Sequence, residues 1–370
     1  MDFISINILE DWYSLNFEKR LKGRRILFSD ILPIIENLSS KFNKKIIGYS
    51  ENNIPIYKIS IGKGKTKVLS WSQMHGNEST GTKALFDLFN FFASNDSEVK
   101  IVTNQILNNC TLEFIVMLNP DGAINFTREN AHNIDLNRDA VEKTAVESRI
   151  LRETLDNFKP KFCFNLHDQR SIFNVEGTKN PATISFLAPS EDVERTLTYG
   201  RIETMSVIVA MNNLLQKIIP NHIGRYTDEF YPTATGDNFQ KLGYNTILIE
   251  AGHYKNDYDR EITRKYNFYA LLKGLYFIAT ENKYTNYEHY FKIPNNDKLF
   301  LDIIYKDIKI IKNNVTHIQD IGIQYKFRVE NAKLIKYKCI EIRGELSNFH
   351  TYNLINAENL VYNDLKLSNS

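Results

Sequence analysis

A chain of 370 residues is long enough for one large domain and a small one. Its 42% hydrophobic and 24% charged residues are ordinary for a globular protein. A net charge of +2 offers no electrostatic footprint for nucleic acid or a membrane surface, so neither is expected as a partner. The N-terminus carries Asp2, Glu10 and Asp11 where a secretory leader would carry lysines and a long apolar core, and a cytoplasmic protein is expected. Residues 29–42 read as a helix, capped by Ser29 or Asp30, with Ile31, Ile34, Ile35 and Leu38 in one stripe. Residues 54–62 alternate like a strand and end at glycine. The next strand, 67–74, brings His75 to its C-terminal end, and 79–95 follows as a helix with Leu85, Leu88, Phe89 and Phe92 inward. An apolar strand over 110–120 is stopped by Pro120, Asp121 and Gly122. A helix over 141–158, a strand over 161–167 ending in His167, and a long helix over 190–218 come next. Its apolar stretch 206–219 is broken by Asn212, Asn213 and Gln216 and is no bilayer span. A buried strand over 244–250 ends in Glu250, and 258–281 is a helix. The three cysteines, Cys110, Cys163 and Cys339, sit among apolar neighbours, too few for a disulfide framework.

Alternation of strand and helix argues an α/β domain: a mixed, largely parallel central sheet flanked by helices on both faces. After residue 283 the composition shifts to strand-like runs without a good helix. The expected division is therefore 1–283 for the α/β domain and 284–370 for a small all-β appendage. In open α/β sheets, ligands bind outside the carboxyl ends of the strands. His75, His167 and Glu250 each stand at that end of a separate strand.

The stretch WSQMHGNEST, residues 71–80, sets His75 and Glu78 three apart. By itself the pair reads as two arms of a metal site or as ordinary loop polarity. A second stretch, NPDGAINFTRENAHNIDLNRDA at 119–140, crowds Arg128, Asp135, Asn137 and Arg138 between a strand and a helix. Together, His75-x-x-Glu78, Asn119-Pro-Asp-Gly, Arg128, Asp135-Leu-Asn137-Arg138, His167 and the strand-ending Glu250 resemble the zinc carboxypeptidase family of pancreatic carboxypeptidase type (M14-type metallocarboxypeptidases), over roughly residues 30–282.

That resemblance implies one zinc ion per chain held by His75, Glu78 and His167, a documented ligand set for a catalytic zinc. It implies Asp135 as the carboxylate that orients the first histidine, Glu250 as general base, and Arg128 as the cation facing the oxyanion. It further implies Asn137 and Arg138 as the clamp on a substrate's terminal carboxylate, since a guanidinium fork matches a carboxylate. A mobile tyrosine some twenty residues before the base is Tyr231 or Tyr226, with Tyr231 favoured by its distance to Glu250. The expected activity is hydrolysis of the C-terminal amide bond of a peptide with a free carboxylate. The alternatives are a zinc amidohydrolase acting on N-acyl amino acids or cell-wall peptides, and a non-catalytic peptide binder on the same scaffold. Arg170 reads as a surface ion-pair residue or a selector for acidic substrates, and His253 as a pocket residue or a packed one.

Overall fold

Strands buried on both faces need near-continuous apolar runs, and this chain has several. In the computed structural model, which describes residues 3–281, 283–312 and 315–362, they form the middle of an eight-stranded mixed sheet. Its strands are β1 (Asn43–Tyr49), β2 (Pro55–Gly62), β3 (Thr66–Ser72), β4 (Cys110–Ile115), β5 (Phe162–Asp168), β7 (Ile184–Leu187), β8 (Ile223–Arg225) and β9 (Asn245–Ala251), in the order β1-β2-β4-β3-β5-β9-β7-β8. The two-residue β6 (Asn174–Val175) lies outside it. The central run β4-β3-β5-β9 is parallel; β2 and β7 flank it antiparallel, β1 pairs antiparallel with β2, and β8 pairs parallel with β7.

Side chains alternate across this sheet into two cores. Phe162, Phe164 and Leu166 of β5 face one core, with α3 (Thr80–Ala93), α7 (Tyr199–Leu215) and α9 (Glu261–Thr280). Cys163 of the same strand faces the other, with α6 (Val146–Phe158) and α8 (Thr235–Lys241). The expected fold class is therefore the observed one.

Several boundaries differ from expectation, each for a local reason. The helix expected over 190–218 begins only at Tyr199, where the Thr198 hydroxyl caps the Arg201 N–H. The helix expected from 141 begins at Val146, because the Asp139 carboxylate holds the Thr144 and Ala145 N–H groups in a turn. The last long helix begins at Glu261, after Arg260 in the left-handed region, with Asp257 taking the Glu261 and Thr263 N–H groups. Helix α2 (Phe28–Glu36) ends early and gives way to β1. The expected strand 110–120 stops at Ile115, and α5 (Pro120–Asn125) follows. Three further helices, α1 (Ile6–Asn16), α4 (Ser97–Asn109) and α8, were not expected. The stripe of α4 is built on Val99, Val102 and Thr103, β-branched residues that weaken a helical reading.

The N-terminal segment is tied to the domain by a buried ion pair. Asp87 on α3 and Arg264 on α9, both without exposed surface, meet at 2.6 Å. Asp87 also accepts from the Glu18 N–H at 2.8 Å and the Tyr13 hydroxyl at 3.2 Å. Arg264 spends its other donors on the carbonyls of Leu21 and Glu18. One ion pair thus carries α1 and the segment after it.

Within the segment expected to be all-β, β11 (Ile303–Lys312), β12 (Val315–Glu330), β13 (Lys333–Gly344) and β14 (Leu354–Asn356) form a second sheet, ordered β13-β12-β11-β14. Residues 363–370 of that segment lie outside the described residues. The sheet has its own small core, with Ile308, Ile321 and Ile323 fully buried. It is fastened to the α/β domain by Arg170–Glu341 at 2.7 Å, and by Asp302, which accepts from Tyr258 and Ser171. The short β10 (Asn296–Asp297) pairs with β6.

The clamp predicts a stability pattern. Asp87→Ala leaves the buried Arg264 with only Glu261, at 3.2 Å, as a carboxylate partner and should cost about 3–5 kcal/mol. Replacing both partners together, Asp87→Leu with Arg264→Met, should cost much less. Urea denaturation of the two variants measures the difference.

Candidate metal centre and active site

Strands β3, β5 and β9 are neighbours and parallel, so their carboxyl ends lie side by side. In register, Ser72 stands beside Leu166 and His167 beside Glu250. Beyond β3 the chain turns through Gln73 in the left-handed region, then delivers His75 and Glu78 from a tight loop closed by Glu78 N–H to the His75 carbonyl at 3.1 Å. Gly76 is required there: a Cβ on it would lie 2.0 Å from the backbone of Gly122 in α5.

The three expected ligands converge. His75 Nδ1 lies 2.8 Å from Glu78 Oε1, and His167 Nδ1 lies 2.9 Å from Glu78 Oε2. The two Nδ1 atoms face each other at 3.1 Å. At that separation a single proton can lie between them, and the remaining lone pairs and the carboxylate call for a cation. Burial resists a charged His75, but Glu78 and Asp135 outweigh it and raise its pKa. At His167 burial prevails and lowers the pKa, so this imidazole stays neutral, the form that ligates metals. Burial would raise the pKa of Glu78, but His75 and His167 hold it well below the usual carboxylate range. His167 Nε2 is buried with no hydrogen-bond partner among the described residues. A proton there leaves Nδ1 as a free lone pair. Two imidazole nitrogens and one carboxylate, closely gathered, fit zinc, with Arg128 Nη1 beside them at 3.2 Å from His75 Nδ1.

A supporting shell surrounds them. Asp135 Oδ1 lies 3.1 Å from His75 Nε2. This pairing places the ring proton on Nε2 and frees Nδ1 for a metal. Asp135 also takes the Asn137 N–H at 2.9 Å and Arg128 Nε at 2.9 Å. Arg128 Nη1 approaches Glu78 Oε1 at 3.6 Å, with part of the side chain exposed. Asp168 orients Glu78 through its N–H, 3.0 Å from Oε2, while its carboxylate accepts from Thr80.

Glu250 projects at the end of β9 beside His167. Burial, then the charges of Glu78 and Asp168, push its pKa well above the usual carboxylate range, against the pull of Arg128 and Arg260. Asn137 and Arg138 lie in a short 3-10 turn directly after Asp135. The Asn137 side-chain oxygen accepts the Thr235 N–H at 3.1 Å, and Arg138 is exposed, with one donor on the Asn137 carbonyl. The candidate tyrosines part company. Tyr231 is 49% exposed on the Arg138 side, its hydroxyl on Glu229 and its N–H on Asp237. Tyr226 is packed inside against Phe173, and its hydroxyl titration is raised by burial and by Glu250. Arg170 is an ion-pair residue, on Glu341. His253 is packed against Tyr258 and also lines a cavity of about 590 Å³ next to Glu78 and Arg128. Sequence reasoning missed Arg24, Arg260 and the aromatic residues of β12 on the walls of that cavity. Arg24 stands in "LKGRR", which reads as a solvated charge run.

The metal assignment has a direct test. His75→Ala with His167→Ala should leave a folded chain that holds no zinc in metal analysis, while Asp135→Ala should weaken zinc by roughly 10–100-fold. A full equivalent of zinc in the double variant would contradict the assignment.

A family model described as zinc carboxypeptidase matches residues 34–216. Carboxypeptidase SOL1 of Arabidopsis thaliana is 32% identical over 169 residues, covering 41% of this chain and 34% of the plant protein. Carboxypeptidase 2 of Trichophyton tonsurans is 29% identical over 104 residues, covering 28% of this chain and 19% of the fungal protein. The chain thus spans well under two thirds of either relative. Among solved structures, the carboxypeptidase A of Helicoverpa armigera superposes with a TM-score of 0.53 at 14% identity, covering 74% of this chain and 80% of the insect protein. A metallo-carboxypeptidase from Burkholderia cenocepacia gives 0.52 at 16% identity, with 67% of each chain covered. These structural likenesses are likenesses of fold. Residues 34–216 thus match the zinc carboxypeptidase family model, and the likeness of fold to carboxypeptidases extends over about two thirds of the chain or more.

Proposed function

We propose that the protein is a zinc-dependent carboxypeptidase that hydrolyses the last amide bond of a peptide bearing a free C-terminal carboxylate. The observation that carries this reading is the meeting of three ligand atoms, from His75, Glu78 and His167, beside the strand-ending Glu250. His75, Glu78 and His167 would hold a zinc ion, which when bound would supply Lewis-acid polarisation of a carbonyl and acidification of a water molecule. Glu250 accepts a proton from the attacking water and gives it to the leaving amine nitrogen. Arg128, fixed by Asp135 but partly exposed, donates to the oxygen on which negative charge develops. Arg138, with Asn137 beside it, binds the terminal carboxylate through charge-assisted hydrogen bonds. Tyr231, on the same side as Arg138, closes over that end of the substrate. A binder without chemistry has no use for a base beside a metal set, and an amidohydrolase indifferent to the peptide end has no use for the Arg138 clamp.

Two measurements test this. Glu250→Gln keeps the shape of the side chain but cannot take a proton, and kcat should fall about 10²–10⁴-fold with zinc content unchanged. Wild-type turnover in that variant removes Glu250 from the mechanism. For the clamp, wild type should cleave a peptide with a free C-terminus and barely touch its amidated form. Arg138→Ala should lower kcat/KM on the free peptide by roughly 10–150-fold and lose most of the discrimination. Equal cleavage of both peptides by wild type would favour the amidohydrolase.

A further inference from the structure

The cavity of about 590 Å³ beside the metal set is built from three parts of the chain. Glu78 and Arg128 form its floor, Arg24 comes from the N-terminal segment, and Tyr325, Lys326 and Phe327 come from β12. Asn137, Arg138 and Tyr231 are not among its lining residues. A peptide whose terminal carboxylate is held at Arg138 therefore passes the metal set and Arg128 and enters the cavity with the residue on the acyl side of the scissile bond.

Charge in this cavity is unbalanced. Its acidic groups are Glu78, Asp168 and Glu341. Glu78 belongs to the ligand set and Glu341 pairs with Arg170 at 2.7 Å, while Asp168 accepts from the Thr80 hydroxyl at 2.7 Å through Oδ2 and keeps a buried Oδ1 without a hydrogen-bond partner. Among the cations, Arg128 is paired with Asp135. Arg260 is buried with its donors on the carbonyls of Ala251 and Gln169 rather than on a carboxylate. Arg24 makes no ion pair with the described residues. Its Nε is buried without a hydrogen-bond partner, and its guanidinium stacks 4.7 Å from the centre of the Phe327 ring. Burial, then the charge of Arg260, pull the Arg24 pKa down to about 10. His253, on the same wall, is pushed down to about 3 by burial and by Arg260, Arg24 and Lys336. A buried guanidinium donor without a hydrogen-bond partner is a cost that an incoming carboxylate relieves. Phe327 holds the fork flat and leaves its edge free.

We propose that this cavity is the subsite for the residue on the acyl side of the scissile bond and that it selects an acidic side chain, with Arg24 as the group that binds its carboxylate. The inference rests on the carboxypeptidase reading. It concerns residues outside the stretch matched by the family model, since Arg24 and Phe327 both lie beyond residues 34–216.

The test uses the zinc-loaded full chain and N-blocked dipeptides that share one C-terminal residue and carry either Glu or Gln before it. Wild type should favour Glu by about ten-fold or more in kcat/KM, as a charge-assisted hydrogen bond requires. Arg24→Gln should bring the Glu-to-Gln ratio toward one, and Arg24→Lys should keep part of the preference. A wild-type ratio near one, or an unchanged ratio in Arg24→Gln, overturns the proposal. Calorimetric binding of N-benzyloxycarbonyl-glutamate against the glutamine analogue reads the cavity without turnover. The glutamate form should bind about ten-fold tighter, and Arg24→Gln should erase the difference. If wild type cleaves no peptide, the carboxypeptidase reading fails. Calorimetry then decides the cavity: a glutamate preference lost in Arg24→Gln upholds acid recognition there, and equal binding rejects it.

Discussion

Everything at the site depends on the parallel register of β3, β5 and β9. Parallel strands place equivalent ends together, and the pairing of His167 with Glu250 sets the candidate metal ligand and the proposed base side by side on neighbouring strands. A shift of one residue in β9 would turn Glu250 to the opposite face and bury its carboxylate in an apolar core. The register is held because both strands are buried on both faces: Phe162, Phe164 and Leu166 on β5, with Ile247 and Ile249 on β9, all lie in one packed core. Precision at the strand ends is thus inherited from packing beneath them.

The loop of His75 and Glu78 has no such ladder and is held by other means. Asp135 takes the far nitrogen of His75, the Asp168 N–H takes one oxygen of Glu78, and Gly76 lets the loop lie against α5. The loop is also backed by the N-terminal segment. The Ser79 hydroxyl donates to the Arg24 carbonyl at 2.6 Å, and the Gln73 amide donates to the Ile26 carbonyl at 3.0 Å. The same segment is anchored farther back by Arg264 and Asp87. A buried ion pair remote from the chemistry therefore fixes both the loop that carries two ligands and the arginine that lines the cavity. The C-terminal sheet completes that wall: Phe327 stacks on Arg24, and Glu341 removes Arg170 from the free charge of the cavity.

The candidate site was legible wherever chemistry sits in short motifs. His75 and Glu78 share one loop, and Arg128, Asp135, Asn137 and Arg138 share another; local spacing survives folding. His167 and Glu250 were legible because each ends a strongly apolar run, and α/β sheets bind ligands at those ends. Helix starts were less so. Asp139, Thr198 and Asp257 each withhold several residues from the following helix by side-chain capping, which hydrophobic periodicity does not register. The two tyrosines illustrate a further limit. Tyr226 and Tyr231 are five residues apart in a loop without period, yet one packs inside near Glu250 and the other lies exposed near Arg138.

By itself the sequence determined the fold class, the positions of the parallel strands and the residue types that gather at their ends, since these follow from hydrophobic period and short-range spacing. Tertiary structure alone decided the distances that turn three side chains into one ligand set, with donor atoms within 4.8 Å of one another. It alone decided that Arg24 meets Phe327 across about three hundred residues of chain, and that the cations around the cavity outnumber their available partners. The physical reason is that a counter-ion is found in space: whether a guanidinium is paired or free depends on every element packed around it, and no local pattern of residues encodes that sum.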